Sequence, residues 1–525
     1  MQRAVEHLCA IGAGLVAALM LAACDVSGIR SDPHRVTMAV SREITTLDPA
    51  ATFVVSNQLA INQLYEKLVV AEMADGRPTG RIVGQLAERW SSSDDGLQWT
   101  FHLRRGHHFD DGSEVTADAV KFSFDRTIAL KAPPAQFLFF LRRVEVIGPY
   151  EIRFVLRMPV AFLLQVLSVP TASIVNPSVA NRTPGDPLGA RWLATNSAGS
   201  GPYRVERFVR GQQVVLRSNP HAATPPSYFR EVNFLIVKDD ATRAIQLSKV
   251  ALDIVDPVPV NVDGWLANRA GVRVVNGPSP TITFLHMNND RPLFKDIRVR
   301  QAISLAIDRE RIGRALHRGR ARLLHGVLPE GIPGHDSTLA LPRYDPEAAR
   351  RLLNEAGVKP GTRLVFTVVG DGASTSPLSV AIRSQLAEVG IDAVIERIST
   401  AARTKVMKGD FDLTLQSINL DFPDPSIVFN FVYNSAMIGG GNFARYRNPE
   451  MDQLIGRADR ELDPEQRISL YRRAQEIAVE QVPTIVLYQL DWSRAQRSDL
   501  AGINYNFAQP TFYNFESMRR SAPLQ

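Results

Sequence analysis

The longest apolar run in the chain, Cys9 to Ala23, stops at a second cysteine, Cys24, and gives way to Asp25 and Ser27. About fifteen residues is the upper range for a secretory h-region and falls short of the ~20 needed to span a bilayer. Met1 to Leu8 sets Arg3 against Glu6, so the preceding n-region carries little net charge. The stretch reads as a signal peptide covering residues 1–23. Its removal would also remove Cys9, leaving the exported remainder with one thiol and no disulfide. That remainder must be held together by packed cores alone. At 502 residues it is too long for a single core and predicts two or three lobes.

An apolar content of 45% and a charged content of 22% are those of an ordinary globular protein. No later segment stays apolar for ~18 residues, so no further span is expected. The formal charge is +6, but basic residues are interspersed with acids throughout and only nine of the 60 are lysine. Nucleic-acid binding needs basic residues gathered into a stripe with interleaved aromatics, and that pattern is missing.

Hydrophobic periodicity predicts an α/β organisation. Strands are expected at Arg35–Val40, Gln98–Leu103, Glu151–Leu156, Arg363–Val369 and Thr484–Leu487, and helical spacing runs from Ser56 to Leu68. Thr116 is the expected cap of a helix through Ala119, Val120 and Phe124. Asp296 precedes one continuous helical pattern with Val299, Ile303, Ala306 and Ile307 on a face. Asp345-Pro346, closed by Gly357, and the pairs Asn448-Pro449 and Asp463-Pro464 are N-cap and first-turn signals. Proline and glycine punctuate residues 176–202, the expected return from one lobe to another.

Catalytic chemistry is not visible. The ten histidines form no HExxH pair, and there is neither a GxSxG elbow nor a Walker A loop. His107-His108 beside Asp110-Asp111 is a weak metal candidate, because adjacent strand side chains point apart and Asp-Asp-Gly-Ser is turn composition. No enzyme, metal or cofactor is expected.

Six blocks carry a resemblance. They are LAERWSSSDDGLQWTFHLRRGHHFDDGSEVTADAVKFSFDR (86–126), GSGPYRVERFVRGQQVVLRSNP (199–220), FLHMNNDRPLFKDIRVRQAISLAIDR (284–309), YDPEAARRLLNEAG (344–357), GDFDLTLQSINLDFPDP (409–425) and RYRNPEMDQLIGRAD (445–459). In this order they resemble the dipeptide/oligopeptide-binding family of solute-binding proteins that serve ABC importers. Leu21-Ala22-Ala23-Cys24 likewise resembles a bacterial lipobox, which implies lipidation of Cys24; an ordinary signal peptide or a short anchor are the alternatives. Asp25 resembles an inner-membrane retention signal. The resemblance implies a bilobed, hinged fold of the periplasmic-binding-protein type with an inserted domain. Lobe one would take residues 32–66, 181–282 and 489–525, the insertion 67–180, and lobe two 283–488, with hinge crossings near 282 and 488. The partners implied are a peptide or other small ligand, permease subunits of the inner membrane, and the membrane surface through the anchor. The receptor itself would be a monomer on the periplasmic side.

In peptide-binding members an aspartate in the loop matching NLDFPDP accepts the ligand's α-ammonium, and Asp421 falls on it. Many members carry tryptophan where this chain has Ile418, and arginines that hold the ligand carboxylate in some members fall at Val406 and Leu415. The loop AATFVVSN (50–57) aligns with a cleft-lining segment, making Phe53, Val54, Val55 and Ser56 candidates. His286 and Asn288, near the expected hinge, complete the set. Nickel complexes, haem, opines and sugars are ligands of other branches.

Overall fold

The computed structural model describes residues 32–74, 77–259, 261–370, 375–503 and 513–521. Cys24, Asp25 and the signal segment lie outside them. The local signals in the sequence act as expected at most helix starts. Asp296, Asp345, Asn448 and Asp463 each accept a backbone N–H of the first turn through the side chain, an interaction that contributes about 1 kcal/mol per helix. Thr116 occupies the N-cap position of helix Ala117–Leu130 but makes no side-chain cap bond. The pattern after Asp296 is two helices rather than one. Ile297–Leu305 stops, and Asp308 caps Arg309–His317 by accepting from Arg311 N. Asp308, inside the apolar periodicity, captures the backbone and restarts it.

One sheet of eleven strands runs through the molecule. Its order is Ile391–Ile398, Thr362–Val369, Leu413–Asn419, Val272–Met287, Thr484–Arg497, Ile254–Val255, Arg35–Val40, Glu231–Ile236, Gln213–Ser218 and Tyr203–Val209, with Ala321–Arg322 paired beside Thr484–Arg497. Parallel pairs occur in both lobes, between Arg35–Val40 and its neighbours on either side and between Thr362–Val369 and its neighbours on either side. Two long antiparallel strands, Val272–Met287 and Thr484–Arg497, belong to both lobes. Their register breaks between Pro278, opposite Asp491, and Ile282, opposite Gln489. Pro278 and Pro280 have no N–H to give the ladder. Side chains fill the gap instead: Gln489 Nε2 donates to the Ser279 carbonyl at 2.7 Å, and Ser279 Oγ donates to the Leu490 carbonyl at 2.8 Å. The lobe boundaries expected at 282 and 488 fall within these strands.

A separate four-stranded antiparallel sheet, ordered Ala87–Ser92, Gln98–Leu103, Glu151–Leu156 and Leu141–Gly148, lies between the first-lobe segments in sequence. Helix Ala117–Leu130 packs on it through Phe124, whose ring meets Phe154 edge-on at 4.8 Å. Arg126 on this helix ties the unit to lobe one by donating to both Asp48 oxygens, at 2.8 and 2.6 Å, with both side chains buried. The Gly-Ser-Gly-Pro block is a close backbone approach. A Cβ at Gly199 would lie 2.0 Å from the Leu64 carbonyl oxygen, while Gly201 N donates to that oxygen at 3.0 Å.

Candidate functional site

The site is built where strand Leu413–Asn419 leaves the sheet. Leu420 N donates to the Pro280 carbonyl at 3.1 Å, which fixes the start of the loop against the broken stretch of the crossing strand. The other end of the loop is pinned by charge. Asp424, 1% exposed, accepts 2.7 Å hydrogen bonds from both terminal nitrogens of Arg467, and its Oδ1 also accepts from Ser426 N. Arg467 Nε donates in turn to the Ala458 carbonyl. Asp421 and Phe422 are presented between these two fixed points.

Phe422 is buried by the inserted domain. Its ring stacks on Phe162 at 5.8 Å and meets Phe137 at 6.1 Å, and Phe137 meets Phe53 edge-on at 4.7 Å. Beside this aromatic chain Ala161 N donates to the Asp459 carbonyl at 2.9 Å, a backbone bond from the insertion to lobe two. The two lobes are therefore in contact here, and Phe53 and Asp421 are brought to the same aromatic cluster. Asp421 is only partly exposed and meets no counter-charge among the described residues. Burial pushes its carboxyl up to about 6, while the Asn419 side chain, by hydrogen bonding, works against the shift.

The other sequence candidates separate into two groups. Val54 and Val55 are exposed at the start of helix Val55–Leu64, on the Phe53 side. Ser56 is buried, its hydroxyl donating to the Glu43 carbonyl at 3.0 Å. Ile418 pairs with Ile282 and packs in the core. His286 is fully enclosed: Nε2 meets Gln416 Oε1 at 2.9 Å, Nδ1 meets Thr484 Oγ1 at 2.9 Å, and burial pushes the imidazole down to about 4. Asn288 is equally buried and donates to the Gly409 and Phe411 carbonyls. His286, Asn288, Ser56 and Ile418 are enclosed, and the hydrogen-bonding or packing capacity of each side chain is used within the fold. His107 bonds Glu66 at 3.0 Å, and no group of three His, Cys, Asp or Glu side chains among the described residues could hold a metal. Phe137, Phe162 and Phe422 were not singled out from sequence. The phenylalanine-rich run from Phe137 to Phe140 is the signal that could have pointed to them.

Two α/β lobes sharing a pair of crossing strands define a two-lobed fold of the periplasmic-binding-protein type. The chain belongs to the bacterial extracellular solute-binding proteins, family 5, whose middle-region model matches residues 81–440. It is 31% identical over 477 residues to the probable D,D-dipeptide-binding periplasmic protein DdpA of Escherichia coli, covering 90% of this chain and 92% of that protein. To the di/tripeptide-binding protein 2 of Pseudomonas aeruginosa it is 29% identical, over 92% and 95% of the two chains. Among solved structures, HbpA2 from Haemophilus parasuis superposes with a TM-score of 0.82 at 21% identity, covering 93% of this chain and all of that one. The periplasmic binding protein DppA from Helicobacter pylori, in complex with the peptide STSA, gives 0.78 at 23%, over 93% and 98%. No helix among the described residues is long and apolar enough to cross a membrane.

Proposed function

We propose that the protein captures short peptides between its lobes and presents them to the permease of an ABC importer. The observation that carries this reading is Asp421, a carboxylate without counter-charge beside the interlobe aromatic contact. A peptide α-ammonium supplies the missing charge, and a charge-assisted hydrogen bond in a closed cleft is strong. Phe53, Val54 and Val55 offer an apolar wall for side chains. The names of the relatives agree, since they include D,D-dipeptide and di/tripeptide binders. Closure is a rotation of the two lobes about the register break from Pro278 to Ile282 and its partners Gln489 to Asp491, with the ligand drawing the equilibrium toward the closed form.

Calorimetry with the tightest member of a di- and tripeptide library, in free and N-acetylated form, tests the reading against wild type and Asp421→Ala. Loss of affinity on acetylation, matched by loss in the variant, supports it. Equal affinity for both forms would transfer the site to a ligand without an amine, such as an opine or an oligosaccharide. Nickel complexes and haem stand with them. The periplasmic binding protein AgaA, in complex with agropinic acid, shares the fold at TM-score 0.76 and 22% identity. The location belongs to the same proposal. Cys24 carries the lipid, Asp25 keeps the receptor at the inner membrane, and the folded lobes face the periplasm as a monomer. Cys24→Ser should then move the protein from the membrane to the soluble fraction without changing its melting temperature.

A further inference from the structure

Arg309 is the first residue of helix Arg309–His317 and is 8% exposed. Its guanidinium is held by neutral groups alone. Nη1 donates to the Pro342 carbonyl at 2.5 Å and Nη2 to Ser304 Oγ at 2.6 Å, while Nε has no hydrogen-bond partner. Burial lowers the guanidinium to about 10, and no carboxylate among the described residues offsets that loss. Two other buried arginines, Arg126 and Arg243, each pair with a carboxylate, Asp48 and Asp240. A buried cation among neutral dipoles is costly to keep unless a counter-charge can reach it.

Arg309 lines a cavity of about 630 Å³ on lobe two, a volume in the usual range for a small-molecule site. Its walls are the start of the helix, residues 323–325 and residues 340–344. Each wall is anchored by the fold itself. Asp308 N donates to Gln385 Oε1 at 3.0 Å, and Asp345 N donates to the Leu305 carbonyl at 2.9 Å. Strand Ala321–Arg322, just before Leu323, pairs with Leu490 and Gln489 of the crossing strand. The cavity therefore exists before any ligand arrives.

The lining divides by chemistry. Leu323, Leu324, Leu341 and the Tyr344 ring form an apolar side, on which Leu323 and Tyr344 are exposed. On the charged side Glu310 is paired with Arg314 at 3.3 Å, and Asp308 is engaged as the helix cap. Arg343 and His325 are exposed, and neither side chain makes a hydrogen bond or ion pair among the described residues. Arg309, Arg314 and Arg343 set against Asp308 and Glu310 leave one positive charge in the lining. No residue of the aromatic cluster beside Asp421 takes part in it.

We infer that this cavity is a second ligand site, separate from the one at Asp421, and that it takes a monoanion with an apolar body, such as a medium-chain or aryl-alkyl carboxylate. Arg343 is free to contact the carboxylate, Arg309 supplies a fixed charge in the wall, and the leucines and Tyr344 cover the body. Charge-assisted hydrogen bonding fixes the head, and apolar burial holds the rest. The inference does not depend on the peptide reading.

Calorimetry of the full-length protein with octanoate, octan-1-ol and octylammonium tests it, since the three probes share a chain and differ in charge. Octanoate should bind wild type about tenfold or more tighter than the alcohol, and the ammonium should bind more weakly still. Arg343→Glu, at an exposed position, should lower octanoate affinity by about tenfold. Leu323→Asp, also exposed, should lower it too. Arg309→Gln should act in the same direction, and Arg343→Glu decides the matter if that variant fails to fold. Asp421→Ala should bind octanoate as wild type does. Absence of octanoate binding by wild type, or equal affinity for octanoate and octan-1-ol, overturns the inference. So does an octanoate affinity unchanged in Arg343→Glu. A changed octanoate affinity in Asp421→Ala would assign the anion to the interlobe site and overturn it as well.

Discussion

Asp421 and Asp424 are three residues apart on one loop, share a residue type, and are held by opposite means. Asp424 is closed off from water and saturated, with Arg467 on both oxygens and Ser426 N on one of them. Asp421 is partly exposed, meets no cation among the described residues, and is pushed toward its neutral form. A buried carboxylate with its partner in place is a scaffold. A half-buried one with no counter-charge among the described residues is, on the proposed function, the contact for the ligand's ammonium. The first end of the comparison sets the shape of the loop, and the second end uses it.

The largest effect expected from this contrast is at the scaffold. Asp424→Ala leaves Arg467 charged and buried, and should cost about 3–5 kcal/mol of stability. Urea denaturation would measure it. A loss no greater than that of Asp421→Ala would break the distinction between the two aspartates. Next comes binding: Asp421→Ala should weaken a peptide with a free amine by about 2–5 kcal/mol, and Asp421→Asn by less, because the amide oxygen still accepts a hydrogen bond.

A third test extends the contrast to His286, which the sequence pattern offers as a ligand contact and the structure encloses. Burial holds the imidazole neutral, down to about 4 from an ordinary value near 6.5. Between those values the unfolded chain binds a proton that the native state refuses. Stability should therefore fall as the pH drops from above ~6.5 toward 4, by up to about 3 kcal/mol at the low end. His286→Gln should flatten that slope in melts across the range. A slope unchanged in the variant would mean that His286 is protonated in the native state.

These side chains also mark how far the sequence could be read. Helix starts such as Asp345, Asn448 and Asp463 were legible because an N-cap acts within three residues of itself. Strands Gln98–Leu103 and Glu151–Leu156 were legible because one face is buried and the pattern alternates. The strand expected at Thr484–Leu487 continues to Arg497. Its second half is dense in polar residues, with Asp491 half-buried and Ser493, Arg494 and Gln496 buried, and these hide the apolar alternation. Asp421 was reached through the resemblance, since nothing local distinguishes it from Asp424. Phe137 and Phe162 could not be linked to Phe422 by any local rule, being more than 250 positions away in the chain.

The smallest effect tests the Asp421 side of the contrast without any ligand. Asp421 is raised to about 6 by burial, against about 3.9 for the residue in an unfolded chain. A raised carboxyl pKa means that the native state holds its proton more tightly than the unfolded state does. Its contribution to stability is then fully present below ~4 and lost as the pH rises through 6. At neutral pH the ionised carboxylate is a burden on the empty protein. Asp421→Asn has a similar shape and no charge, so it removes that burden and should be more stable than wild type by roughly 1–2 kcal/mol at pH 7.5, after allowing for partial solvent access. Below pH ~4 the two proteins should melt together, because wild-type Asp421 is then neutral as well. Paired melts at pH 7.5 and pH 4 measure the difference directly. If the asparagine variant is less stable than wild type at pH 7.5, Asp421 has a counter-charge in the empty protein and belongs with Asp424 on the scaffold side.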